Sequence, residues 1–292
     1  MRVVLPMPGN QQLAASLALA LGAPLAEMET RQFPDGESYV RLLSDVAGRE
    51  VVLVCTLAAP DAQFLRLVFA ARTARELGAA SVTLVAPYLA YMRQDKRFQP
   101  GEAVTSSYFA DLIAKEVDRL ITVDPHLHRH KALGEIYRIP ALALHAAPLL
   151  ANWIKRDVER PFIIGPDIES EQWVSEVAGR AEAPYVVLNK ERHGDRRVAI
   201  AVPDLDAWRD RQPVLIDDIV SSGRTMIEAS EGLVAQGLKK PVCLAVHALF
   251  ADDAFARLSD VTQRVVSTDC VPHPTNLIPV APLIADALRQ HL

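Results

Sequence analysis

Short runs of β-branched and aliphatic residues alternate along this chain with longer segments of helical period, the pattern of parallel strands joined by crossover helices. In the first half the runs are Val3–Leu5, Val51–Cys55, Val82–Ala86 and Leu120–Val123, with helical segments near Gln11–Leu21, Ala62–Leu77 and Ser106–Lys115. In the second they are Phe162–Ile164, Tyr185–Leu188, Val214–Ile216 and Val242–Val246, with helical segments near Glu171–Ala181 and Thr225–Gln236. The expected fold class is therefore α/β, a mainly parallel sheet flanked by helices. At 292 residues the chain exceeds what one hydrophobic core organises, so two similar domains are expected, each with its own core. The stretch His145–Pro148 suggests a boundary, giving residues 1–145, 146–280 and a closing helix over 281–292.

Composition narrows the function classes. A formal net charge of −5 argues against an unspecific nucleic-acid binder. No segment is apolar for long enough to span a bilayer, and the run from Met1 to Pro6 is too short for a signal peptide. Cys55 and Cys243 sit inside apolar runs far from each other and from Cys270. Thiols in such runs serve as small hydrophobes, and a reduced, cytoplasmic setting is expected.

The most informative string is Val214-Leu215-Ile216-Asp217-Asp218-Ile219-Val220-Ser221-Ser222-Gly223-Arg224-Thr225. It leaves a strand, shows two carboxylates, and turns through small residues into a helix. Small side chains let backbone N–H groups approach an anion, and a helix start adds positive partial charge, so a phosphate suits Ser221, Ser222, Gly223, Arg224 and Thr225. Asp217 and Asp218 then suit ribose hydroxyls. A single Asp with one Ser would mean only a helix cap. No Gly-x-x-x-x-Gly-Lys-Ser/Thr and no Gly-x-Gly-x-x-Gly after a strand occurs.

Three further strings come before it: Gln32-Phe33-Pro34-Asp35-Gly36-Glu37, then Pro87-Tyr88-Leu89-Ala90-Tyr91-Met92-Arg93-Gln94-Asp95-Lys96-Arg97, then Thr122-Val123-Asp124-Pro125-His126. Arg93 offers a guanidinium fork for phosphate oxygens, Gln94 an amide for a purine edge, and Phe33 a ring for stacking. His126, His128 and His130 stand at alternate positions, a spacing that suits zinc or nickel if the stretch is extended.

Taken together, the four strings resemble the ribose-phosphate diphosphokinase family, with the fold of type I phosphoribosyltransferases, over nearly the full length and in the same order. The resemblance implies two phosphoribosyltransferase-like domains, the first binding ATP and the second ribose 5-phosphate. It implies ATP contacts from Phe33, Arg93, Gln94, Asp95 and His126, and from Asp35 and Glu37 toward the ATP of a neighbouring subunit. A homo-oligomer, a dimer or a multiple of dimers, follows from that. It also implies Mg2+ as cofactor, associated with His126 and Asp167. The string Asn189-Lys190-Glu191-Arg192-His193-Gly194-Asp195-Arg196-Arg197 resembles the family's catalytic flexible loop, with Lys190 and Arg192 as its two basic residues. By itself that string is also compatible with an exposed basic hairpin.

The activity so implied is transfer of the diphosphoryl group of ATP to C1 of ribose 5-phosphate. Some positions depart from the family pattern. Ser221 stands where many bacterial and animal members carry Asp, Arg224 replaces a small residue, and Glu169-Ser170 replaces a glycine pair after Asp167. Those departures keep two other readings in view: a catalytically silent paralogue that regulates an active partner, and a phosphoribosyltransferase.

Overall fold

A computed structural model describes residues 1–127, 129–193, 197–201 and 205–290, with the backbone alone for residues 169, 189–193 and 197–201. The chain divides into two compact units: Met1–His145 with Cys270–Pro272 and Val280–Leu292, and Ala146–Asp269 with His273–Pro279.

The first unit contains β1 (Arg2–Pro6), α1 (Gln11–Leu21), β2 (Met28–Gln32), β3 (Ser38–Leu42), β4 (Glu50–Val54), α2 (Pro60–Glu76), β5 (Ser81–Ala86), α3 (Thr105–Glu116), β6 (Arg119–Val123) and β7 (Ala141–Leu144). Its five-stranded sheet runs β1-β4-β5-β6-β7, and every pairing is parallel. Parallel strands covered on both faces must be apolar on both, and Val51 to Val54 are indeed wholly buried. Burying each such side chain contributes about 1.5–3 kcal/mol. α1 stops at Gly22, whose left-handed backbone returns its N–H to the last helical carbonyls.

The second unit contains α4 (Ala147–Asp157), β8 (Pro161–Gly165), α5 (Glu171–Ala181), β9 (Tyr185–Val187), β10 (Asn189–His193), β11 (Arg197–Ala201), β12 (Gln212–Val220), α6 (Arg224–Ala235), β13 (Val242–Ala248), α7 (Ala254–Val261), β14 (Arg264–Thr268) and β15 (Asn276–Ile278). Its sheet runs β15-β14-β13-β12-β8-β9, again parallel throughout. The last helix, α8 (Ala281–Gln290), belongs to the first unit and packs on α1.

The two sheets share one topology. β1-β4-β5-β6-β7 corresponds to β8-β12-β13-β14-β15, and a parallel bridge from Val4 to Leu25 occupies the place of β9. Each unit also inserts an antiparallel hairpin between its first and second core strands, β2–β3 in one and β10–β11 in the other.

Several elements differ from the sequence expectation. The β2–β3 hairpin escaped it because Met28–Gln32 holds a single apolar residue and stays half-buried or exposed. The segment from Asn189, read either as a flexible loop or as a basic hairpin, pairs Asn189 with Ala201 through His193 with Arg197. β12 runs on to Val220, because its partner β13 continues beside it and pairs Asp217 with Ala245 and Val220 with Ala248. Cys55, Cys243 and Cys270 are buried and free. Burial pushes the first two thiols up to about 12, so they act as packing groups. Among the described residues no helix is long and apolar enough to cross a membrane.

Candidate active site

Ligands of open parallel sheets bind beyond the carboxyl ends of the strands, and both units place their polar strings there. In the second unit the polypeptide leaves β12 at Val220 and turns in three residues into α6. Gly223 makes that turn with φ 68°, a conformation that costs a residue with a Cβ free energy. No side chain caps the first turn of α6 and no acid lies in it. The amides of a helix start carry positive partial charge. A cavity of about 120 Å3 lies over them, lined by Asp217 and by residues 219–226.

The turn is clamped from behind. The N–H groups of Leu249 and Phe250 donate to the Val220 carbonyl at 3.0 Å each, and Ala251 N–H donates to the Ser221 carbonyl at 3.0 Å. Asp217 and Asp218 lie within β12 rather than in the loop. Asp218 N–H donates to Asp217 Oδ1 at 3.0 Å, and Ile219 N–H to Asp218 Oδ1 at 2.8 Å. Asp167 follows the neighbouring strand β8, where the Ser170 hydroxyl donates to its carbonyl at 2.6 Å. Burial first, then the charges of Asp218 and Asp167, push Asp217 well above the usual carboxylate range. Three carboxylates thus share one strand-end region, and a hard divalent cation with oxygen ligands would relieve their repulsion. Lys190 and Arg192 lie on β10, and their side chains fall outside the described residues.

In the first unit Phe33, Asp35 and Glu37 sit at the tip of the β2–β3 hairpin. Phe33 N–H donates to the Glu37 carbonyl at 2.8 Å, and Gly36 makes the turn with φ 93°. Phe33 is 38% exposed. Its ring is oriented by the Arg31 guanidinium, which lies 4.5 Å from its centroid and 4.3 Å from that of Tyr39. Arg93, Gln94 and Asp95 follow β5 on a loop held by a hydrogen bond from the Tyr91 hydroxyl to Asp61 at the start of α2. Arg93 is exposed and Gln94 half-buried. Asp95 is already engaged by Arg129, whose Nη1 stands 2.8 and 3.1 Å from its two oxygens. That ion pair joins the loops after β5 and β6. It makes Asp95 a structural tie between them, a role the sequence string did not announce.

His126 is half-buried after β6. His128 lies outside the described residues, and His130 Nδ1 faces Glu135 at 3.3 Å. Among the described residues no three His, Cys, Asp or Glu side chains converge as a metal nest. A cation here would take one or two protein ligands and fill its shell with substrate phosphate oxygens, as magnesium does. Sequence reasoning also missed His145, whose Nδ1 donates to Asp124 Oδ1 at 3.0 Å.

Known proteins resemble this chain over nearly its full length. Residues 2–116 match the model of the N-terminal domain of ribose phosphate pyrophosphokinase, and residues 132–282 that of the phosphoribosyl transferase domain. The chain is 35% identical over 293 residues to a ribose-phosphate pyrophosphokinase of Methanothermobacter thermautotrophicus, covering 99% of this chain and 100% of the relative. It is 35% identical to another from Methanopyrus kandleri, covering 99% of each. In fold it is similar to phosphoribosylpyrophosphate synthetase from Mycobacterium smegmatis, with a TM-score of 0.85 at 22% identity over 99% of this chain and 97% of that one. The chain belongs to the ribose-phosphate pyrophosphokinase family.

Proposed function

We propose that this enzyme transfers the diphosphoryl group of ATP to the C1 oxygen of ribose 5-phosphate, giving 5-phosphoribosyl 1-diphosphate and AMP. The observation that carries the reading is the uncapped start of α6 behind left-handed Gly223, with Asp217 and Asp218 on the strand that leads into it. The 5′-phosphate is held by the amides and side chains of Ser221, Ser222, Gly223, Arg224 and Thr225. The two carboxylates accept from the ribose hydroxyls. The second unit is the ribose 5-phosphate domain, and the first, with Phe33, Arg93, Gln94 and His126, is the ATP domain. Asp95 supports the first by holding Arg129. Asp35 and Glu37 extend the hairpin tip toward the nucleotide of a neighbouring subunit.

Magnesium would be held by His126 in the first unit and by Asp167 in the second, each with substrate phosphate oxygens completing the shell, and when bound it would supply charge neutralisation. The chain's own residues bind and align. The C1 oxygen attacks the β-phosphorus in line, the α–β bridging bond breaks, and AMP leaves. No protein nucleophile is needed, because positioning and charge stabilisation supply most of the catalysis in such transfers. Lys190 and Arg192 stabilise the charge that spreads over the moving group.

A homo-oligomer built from dimers, in the cytoplasm, completes the reading. The exposed Phe33 and the exposed Leu65, Phe69, Tyr108 and Leu112 on α2 and α3 support it. The test is release of AMP from ATP, dependent on both ribose 5-phosphate and Mg2+. Absence of AMP would overturn the reading in favour of a catalytically silent relative, and light scattering reads the assembly.

A further inference from the structure

The carboxyl end of β6 is built around a residue that the sequence motifs leave without a role. Asp124 is nearly buried and stands at φ 36°, in the left-handed region, although it is not glycine. Such a conformation costs free energy and persists only where neighbours over-determine it, which happens most often at functional sites. Two of those neighbours come from β7 and its end. Asp124 N–H donates to the Leu144 carbonyl at 2.8 Å, and its Oδ1 accepts from His145 Nδ1 at 3.0 Å. On the other side the preceding residue is tied to the loop after β5, because Val123 N–H donates to the Pro87 carbonyl at 3.1 Å. The strand end that carries His126 two residues later is thus fixed from both flanks.

The pair is asymmetric in a telling way. The Asp124 side chain is 8% exposed and that of His145 68% exposed. An ion pair with one partner so open to water adds little to folding stability, yet it determines how the enclosed carboxylate is turned. Its position at the carboxyl ends of adjacent parallel strands is where ligands of such sheets bind.

We infer that His145 is a positioning residue of the nucleotide half: it fixes the Asp124 carboxylate and, through it, the strand-end turn that presents His126 to the polyphosphate of MgATP. The inference rests on the ATP assignment of the first unit proposed above. His145→Ala removes the N–H that Asp124 accepts. His145→Asn returns an amide N–H near the Nδ1 position.

The experiment uses the full-length chain and measures KM for ATP, KM for ribose 5-phosphate and the melting temperature, with direct calorimetric titration of MgATP. His145→Ala is expected to raise both KM for ATP and the MgATP dissociation constant about tenfold, the effect of one lost charge-assisted hydrogen bond. KM for ribose 5-phosphate and the melting temperature stay at wild-type values, and His145→Asn recovers most of the loss. Wild-type ATP affinity in His145→Ala overturns the inference. So does a loss of both substrate affinities and of melting temperature together that Asn leaves uncorrected, since that is a folding defect. If the wild type binds MgATP but releases no AMP, the catalytic reading fails and the calorimetric comparison alone decides about His145. If the wild type binds no MgATP, both fall.

Discussion

Gly165 lies so close to Ser170 that a Cβ built on it would stand 2.7 Å from the Ser170 hydroxyl oxygen and 2.8 Å from a methyl of Val174. The same hydroxyl donates to the Asp167 carbonyl. The strand-to-helix turn after β8 is therefore folded tightly against the strand, and this fixes where Asp167 starts. Gly165→Ala must push that turn away. We expect a loss of about 1–3 kcal/mol, as for overpacked interiors, with weakened response to magnesium. Val174→Ala in the same chain frees space and should restore part of the stability. A Gly165→Ala protein with wild-type unfolding free energy would contradict the close packing.

Asp217 gathers the electrostatic strain of the second unit. Its raised pKa arises from burial and from Asp218 and Asp167, so a divalent cation bound to Asp167 should offset the repulsion that Asp217 feels and stabilise the folded chain. Thermal unfolding of the wild type is expected to shift upward when Mg2+ is added and back when it is chelated. Any ligand that binds only the native state at 100 times its Kd contributes about 2.7 kcal/mol. Asp217→Asn removes one repelling charge. It should raise the midpoint without magnesium and reduce the magnesium shift. An equal shift in wild type and variant would remove Asp217 from the cation's surroundings.

Glu116 illustrates the opposite sign. The Arg72 fork meets it at 2.6 and 2.8 Å and holds its carboxyl below the usual carboxylate range. A carboxyl depressed in the folded state adds stability above its unfolded pKa, and that stability is lost as the pH falls through the folded value. Arg72→Leu should thus lower the melting temperature at neutral pH, and the difference from wild type should vanish in acid. A difference that persists unchanged at low pH would mean that lost packing, not charge, is responsible.

How much of this was legible in the sequence follows from where the partners lie. Ser221 to Thr225, with Asp217 and Asp218 just ahead, announce an anion site because the whole device is local: a strand end, small residues and a helix start. Asp95 with Arg129 and Asp124 with His145 are 34 and 21 residues apart, and only strand order brings them together. The β2–β3 hairpin hid for another reason. Only Met28, Val40 and Leu42 of its strands pack against the core, too few apolar positions to mark two strands, and its tip is ordered by Arg31 stacking on Phe33 and Tyr39. β12 outran its expected end because Asp217 and Asp218 read as loop residues, whereas Asp217 and Ile219 pair with β13 and the Asp217 carboxylate accepts the Asp218 N–H between them.

Lys190 and Arg192 carry the catalytic proposal on the β10–β11 hairpin. Two cations that act on charge developing in the transition state should affect turnover more than binding. Lys190→Ala and Arg192→Ala are each expected to reduce kcat by about 100-fold or more, the scale of losing one charge-stabilising donor. KM for either substrate should change only a few-fold. Unchanged turnover in both single variants would remove them from the chemistry.

Arg224 is the first residue of α6 and is exposed beside the cavity that Ser221, Ser222 and Thr225 also line. A cation at a helix start opposes the positive end of the helix dipole, a cost of about 0.3–1 kcal/mol. An anion bound there converts that cost into a charge-assisted contact. Arg224→Ala should therefore raise the melting temperature slightly in buffer without phosphate. The same variant should lose most of the stabilisation that inorganic phosphate gives the wild type, and its KM for ribose 5-phosphate should rise about tenfold, with KM for ATP unchanged. If phosphate stabilises both proteins equally and KM for ribose 5-phosphate is unaltered, Arg224 points away from the anion and the cradle consists of the loop amides and hydroxyls alone.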